Sequence, residues 1–155
     1  MPMTKRHIVA ALTIAALLCA CSPNERRPGM VLSGEPAAYP SDWTFTDSAK
    51  EIAIQVHTPY LLPHAVTIWC AQVNGQLYIA ASAPESKRWP AWADKKPDVK
   101  LGIDNHIYEV HLAQLTDAAE IAPVQQAYKA KYQLPAAPPQ NAPSVKYWHV
   151  TPPAS

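Results

Sequence analysis

Hydrophobic and polar positions alternate along Glu51–His57 (EIAIQVH). Ile52, Ile54 and Val56 fall on one face, which predicts a half-buried strand. Thr58-Pro59-Tyr60 and Pro63 break the run, and Ala65–Gln72 predicts a second strand. Asn74-Gly75 is the strongest two-residue hairpin signal available, so Gln76–Ser82 is expected to pair back. Val99–Ile103 reads as a fourth strand, Asp104-Asn105 as a turn, and His106–Leu115 as a fifth strand. Thr116 is expected to cap a helix over TDAAEIAPVQQAYKAKY, with Pro123 kinking or dividing it. Pro84–Lys96 has room for a short helix, and Lys146–Thr151 (KYWHVT) alternates as a last strand would. The chain has no internal repeat. An antiparallel meander with one or two short helices predicts a mainly β (α+β) fold, closed as a small compact barrel.

The ends of the chain follow other patterns. Lys5, Arg6 and His7 form a basic head, and Ile8–Leu18 is apolar throughout. A run of about eleven residues suits a signal peptide and falls short of the roughly 20 that a membrane-spanning helix needs. It ends in Leu18-Cys19-Ala20-Cys21, which resembles the lipobox of bacterial lipoproteins. The resemblance implies cleavage before Cys21 and lipidation of that cysteine. The alternative is an ordinary signal peptide cut nearby, which would leave Cys21 a free thiol. Acyl chains on Cys21 would hold the protein on a membrane. Ser22 rather than Asp after the cysteine points to the outer membrane, facing the periplasm. Residues 1–20 are thus expected to be a leader. Residues 21–41 are expected to be the lipidated Cys and a flexible tether, rich in Pro, Ser and charge. Residues 42–133 would form the folded domain, and residues 134–155 a Pro-rich segment with a possible terminal strand.

The leader changes the cysteine and charge counts. Of 3 Cys, Cys19 leaves with the signal and Cys21 takes lipid, so Cys70 stands alone without a disulfide partner. Its apolar surroundings, Ala65–Trp69, predict a buried, inert thiol. The chain has 13 Lys+Arg against 12 Asp+Glu, and Lys5 and Arg6 lie in the leader. A near-neutral chain makes no field that would recruit nucleic acid. One domain of this size has a modest core, so a homodimer is a plausible way to bury more surface.

The candidate chemistry lies in Ser82–Lys100 (SAPESKRWPAWADKKPDVK). Tyr78 and Ser82 end a strand, Ser86-Lys87-Arg88-Trp89 lead into a short helix, and Lys96-Pro97-Asp98-Val99 open the next strand. This order resembles the split-barrel flavin-binding superfamily, the pyridoxamine-phosphate-oxidase-like and deazaflavin-dependent nitroreductase-like proteins. The asparagine-glycine hairpin and the late helix ending in Ala127–Tyr132 suit the same pattern. The resemblance spans about Ile52 to Tyr132 and implies a split β-barrel. It implies an FMN or deazaflavin cofactor whose phosphate meets Lys87 and Arg88, the hydroxyls of Ser82 and Ser86, and N–H groups at the helix start. Trp89 would shield the ring, and hydride chemistry would belong to the cofactor. The chain departs from the pattern in two ways. Glu51–Gln72 holds no Arg or Lys to add to the phosphate site, and Lys96 stands where the family usually has Asn. A second account of the same residues has Lys87 and Arg88 in solvent, with Trp89 and Trp92 facing the core at i, i+3.

Other chemistries lack support. His57 and His64 bracket one turn with no third ligand evident nearby, and His106 and His111 fall on opposite strand faces. No Ser occupies a nucleophile elbow, and Asp94, Asp98 and Asp104 lie among lysines like turn and surface residues. The aromatic run Tyr147-Trp148-His149 would close the barrel or dock on a partner. Two function classes therefore stay open: a flavin-type oxidoreductase, and a cofactor-free binding or assembly lipoprotein of the same shape.

Overall fold

The computed structural model describes Gly29 and residues 31–153. The leader, Cys21 and most of the tether lie outside the described residues. The strands are β1 (Glu35–Ala37), β2 (Ile52–His57), β3 (Pro63–Ile68), β4 (Cys70–Val73), β5 (Gln76–Ser82), β6 (Asp98–Ile103), β7 (His106–Gln114) and β8 (Val145–Thr151). Two α-helices, α1 (Trp89–Lys95) and α2 (Ala118–Tyr132), and two short 3-10 turns complete the fold. The fold is a mainly β split barrel.

The sheet runs β3-β2-β6-β7-β8-β5-β4, and these pairings are antiparallel. Its first and last strands are two halves of one run of chain, interrupted only at Trp69. The path therefore returns on itself. Closure is incomplete where β3 faces the end of β5, and that split positions the candidate site.

Alternation sets the inward face. Ile52, Ile54 and Val56 of β2 join Leu77 and Ile79 of β5 and Leu101 and Ile103 of β6 in the main core. Trp43 and Trp148 are its largest fully buried side chains. The hairpin turns form as their residues require. Asn74 and Gly75 both take positive φ, 52° and 76°, as do Asp104 and Asn105 at 47° and 63°.

Several expectations need correction. Part of the segment read as tether joins the fold: Gly29 bridges to Ala65, and β1 pairs in parallel with the first residues of β7. Leu32 packs on Ala53 and Ala65, and its N–H donates to Gln55 Oε1 at 2.8 Å. These residues cover the outer face of β2, whose Ala53 is buried too. The expected last strand does form, as β8 between β7 and β5. Helix α2 is continuous through Pro123, which sits early in it and is exposed to solvent. Asp117, not Thr116, caps α2 by accepting from the Ala119 N–H at 2.8 Å. The predicted strand Ala65–Gln72 breaks at Trp69 because the chain there leaves one pairing partner for another.

Candidate functional site

The break at Trp69 strands backbone groups that regular pairing would satisfy. Helix α2 supplies the partners. The Tyr128 hydroxyl lies 3.1 Å from the Trp69 carbonyl and 3.2 Å from the Tyr78 carbonyl. The Tyr132 hydroxyl accepts from the Cys70 N–H at 3.1 Å and lies within 2.9 Å of the Cys70 and Lys50 carbonyls. Burial pushes the Tyr128 phenol well above its ordinary range and raises Tyr132 to about 12. Trp69, left outside the core, stacks on Tyr132 with centroids 4.2 Å apart. These tyrosines, one helical turn apart, thus fasten α2 to the strand break and to β5 beside it.

The split contains a cavity of about 430 Å³ lined by Thr67, Ile68, Trp69, Ala80, Ala81, Ser82, Lys87, Trp89, Tyr128, Leu134, Val145 and Tyr147. Its wall is mostly apolar and aromatic. A second cavity of about 370 Å³ is lined by Tyr60, His64, Val66, Thr67, Lys87, Arg88, Trp89 and Trp92. The two adjoin, since both touch Thr67, Lys87 and Trp89. Trp92 has the edges of Tyr60 and His64 against it, with centroids at 5.9 and 5.4 Å.

The five cofactor residues named from sequence divide. Ser82, Lys87 and Trp89 line the larger cavity. Arg88 is exposed and lines only the second. Ser86 lines neither; its hydroxyl donates to the Ala83 carbonyl at 2.8 Å. The Lys87 ammonium donates to the Ser82 carbonyl, which folds the side chain back over the loop. Trp89 is 5% exposed and packs on Trp148 with centroids 5.3 Å apart. It therefore serves both as core and as cavity wall. The expected N–H donors of α1 are reduced, because Pro90 occupies its second position and has none. Asp94 ties α1 down through Lys146 and the Trp148 indole N–H, the latter at 3.3 Å.

Sequence reasoning missed the aromatic wall of the larger cavity: Trp69, Tyr128 and Tyr147. An exposed Trp inside an apolar run and two Tyr at i, i+4 on the late helix were the available signals. Cys70 is buried, and burial pushes its thiol up, partly opposed by Lys131, whose Nζ lies 3.6 Å from the sulfur. It is not a poised nucleophile. Val56 pairs with His64, so His57 and His64 project from opposite faces. Among the described residues no group of three His, Cys, Asp or Glu side chains is arranged to hold a metal.

A family model described as uncharacterized protein conserved in bacteria (DUF2255) matches residues 44–145. The chain belongs to that family. No curated protein matches the chain in sequence. Among solved structures it is similar to a conserved hypothetical protein from Mycobacterium tuberculosis, with 15% identity and a TM-score of 0.55, over 70% of this chain and 76% of that one. It is similar to an F420 reductase at 16% identity and a TM-score of 0.51, over 75% of this chain and 96% of that one. A candidate pyridoxamine 5′-phosphate oxidase from Listeria innocua gives 12% identity and a TM-score of 0.52, over 68% and 86%. Likeness at this level is one of fold, and the fold shared is the split barrel.

Proposed function

We propose that the chain is an envelope lipoprotein whose split barrel binds an aromatic cofactor of the FMN or deazaflavin type. Lipid on Cys21 would anchor it, on the outer membrane facing the periplasm. The observation that carries the cofactor reading is the junction of the two cavities at Thr67, Lys87 and Trp89. One side offers an aromatic slot and the other offers cations. Each volume lies within the roughly 300–1,000 Å³ typical of small-molecule sites.

A planar ring fits the larger cavity, with Trp89 and Tyr147 in its wall. An anionic tail fits at Lys87 and Arg88, with Ser82 and Thr67 as hydroxyl donors. Lys87 would exchange its bond to the Ser82 carbonyl for the anion. When bound, such a group supplies hydride and single-electron chemistry. The chain itself would cover the ring, exclude water and hold the anion. The apolar rim of Trp69, Leu134 and Val145, 38–43% exposed, would be covered by a second copy in a homodimer.

One observation favours a second reading, a cofactor-free binding or assembly lipoprotein. Both cations come from a single loop, β2–β4 add none, and Pro90 removes a donor. Titration of the chain from Ser22 onwards with FMN and deazaflavins decides between the two. Saturable micromolar binding is expected. In the Lys87→Ala, Arg88→Ala double variant it should weaken about tenfold or more, with folding stability unchanged within about 0.5 kcal/mol. Absence of saturable binding by the unaltered chain would establish the second reading instead.

A further inference from the structure

The turn between β2 and β3 holds Tyr60, Leu61 and Leu62 in water, at 55%, 88% and 55% exposure. Leu61 is doubly out of place. It is a large apolar side chain in solvent, and its φ of 65° lies in the left-handed region that favours glycine or asparagine. The turn is nevertheless well tied. The buried Thr58 hydroxyl donates to the Leu62 carbonyl at 2.5 Å, and the Leu61 N–H donates to the Thr58 carbonyl at 3.3 Å. Tyr60 stands edge-on to Trp92. Both leucines are thereby held outward. Beside them Lys95 and Lys96, both exposed, line a shallow hollow with His57, Thr58 and Pro59. Among the described residues neither lysine takes part in an ion pair. An apolar tip with an aromatic side and a basic rim has the composition of an interfacial membrane contact.

The path of the chain supplies an independent observation. The Gly29 N–H donates to the Ala65 carbonyl at 3.0 Å, and the Ala65 N–H donates to the Gly29 carbonyl at 2.7 Å. The chain therefore enters the fold alongside β3, only three residues from Leu62. Gly29 lies eight positions after Cys21 in the chain, a reach of at most about 29 Å. Leu62 to Ala65 adds roughly 10 Å of strand. Arg26 and Arg27 lie in the connecting stretch. A lipid on Cys21 would enter the bilayer within reach of the exposed turn.

We propose that the Tyr60–Leu62 turn is a membrane-contact tip that seats in an anionic phospholipid surface and sets the orientation of the domain there. The tip is independent of the cofactor reading. The composition of the tip points to a membrane without lipidation of Cys21, whereas the path of the chain does so only with it.

Every strand and both helices follow Gly29, so the chain from Ser22 onwards carries the whole described fold and tests the tip without a lipid anchor. Co-sedimentation with phosphatidylglycerol-containing vesicles should show binding that falls with added salt and is weak on pure phosphatidylcholine. Leu61→Ser with Leu62→Ser should lower partitioning about tenfold or more. Lys95→Glu with Lys96→Glu should lower it on anionic vesicles specifically. Leu61→Gly guards against misfolding, because it suits the positive φ: melting should stay level or rise while vesicle binding drops. No partitioning on anionic vesicles overturns the proposal, as does partitioning that ignores the leucine changes. A dimer that Leu62→Ser converts to monomer, in a chain that does not bind vesicles, assigns the turn to a second copy instead. The mass of the mature N-terminus tests the anchor separately: vesicle binding by the tip without acylation of Cys21 leaves the tip standing and removes the anchor.

Discussion

Replacing Tyr128 by Phe deletes one oxygen from a side chain that is 4% exposed. That oxygen contacts the Trp69 carbonyl at 3.1 Å and the Tyr78 carbonyl at 3.2 Å. A phenol has one proton, so one bond is strictly lost, with a net value of about 0.5–1.5 kcal/mol. The Trp69 carbonyl lies at the strand break and loses a partner there, which adds to the cost. A total of roughly 1–2 kcal/mol follows. For a domain of about 120 ordered residues, the unfolding entropy near the midpoint is about 0.25 kcal/mol/K, so Tm should fall by roughly 4–8 °C. Calorimetric melts at neutral pH read this directly. Tyr60→Phe is the control, since that residue is half exposed, and it should shift Tm by about 1 °C or less. A Tyr128→Phe variant that melts with the unaltered chain would refute the claim that α2 secures the strand break through its tyrosines.

Asp94→Ala should destabilise by about 1–2 kcal/mol, because it releases Lys146 and the buried Trp148 indole together; chemical denaturation with the m-value monitored will show it. Pro123→Ala should raise stability by about 1–2 kcal/mol, restoring a helical N–H donor at an exposed position; a lower Tm would mean that the ring makes an unrecognised contact. Tyrosine ionisation sets a sign for alkaline behaviour. The folded phenols of Tyr128 and Tyr132 titrate above the unfolded value of 10, Tyr132 at about 12. Between about pH 10 and 12 the unfolded chain has therefore lost protons that the folded chain keeps, and stability must fall as pH rises. Tyr132→Phe should flatten that fall, as measured by urea midpoints across the range.

The barrel was largely legible in the sequence because its strands obey local rules. The alternation of Ile52, Ile54 and Val56 marks β2, and the asparagine-glycine pair fixes the hairpin between β4 and β5 in register. What escaped notice depends on distant partners. Gly29–Ala37 carries no apolar period; Gly29 pairs with Ala65, Glu35–Ala37 pair with β7, and Leu32 is buried. Pro123 reads locally as a helix breaker, yet packing of Val124 and Tyr128 against the sheet carries the helix through it. The site was half legible. Lys87, Arg88 and Trp89 stood out by type and spacing. The aromatic wall did not, since Trp69, Tyr128 and Tyr147 come from three elements that only the closed barrel brings together.

The most direct test of the account is the absorbance spectrum of the protein purified from its own host. The junction of an aromatic slot with Lys87 and Arg88 predicts a flavin-like or deazaflavin-like band, released on denaturation in about one equivalent per chain. A colourless protein that also fails to take up added FMN or deazaflavin would contradict the cofactor reading and leave the split barrel as a binding scaffold.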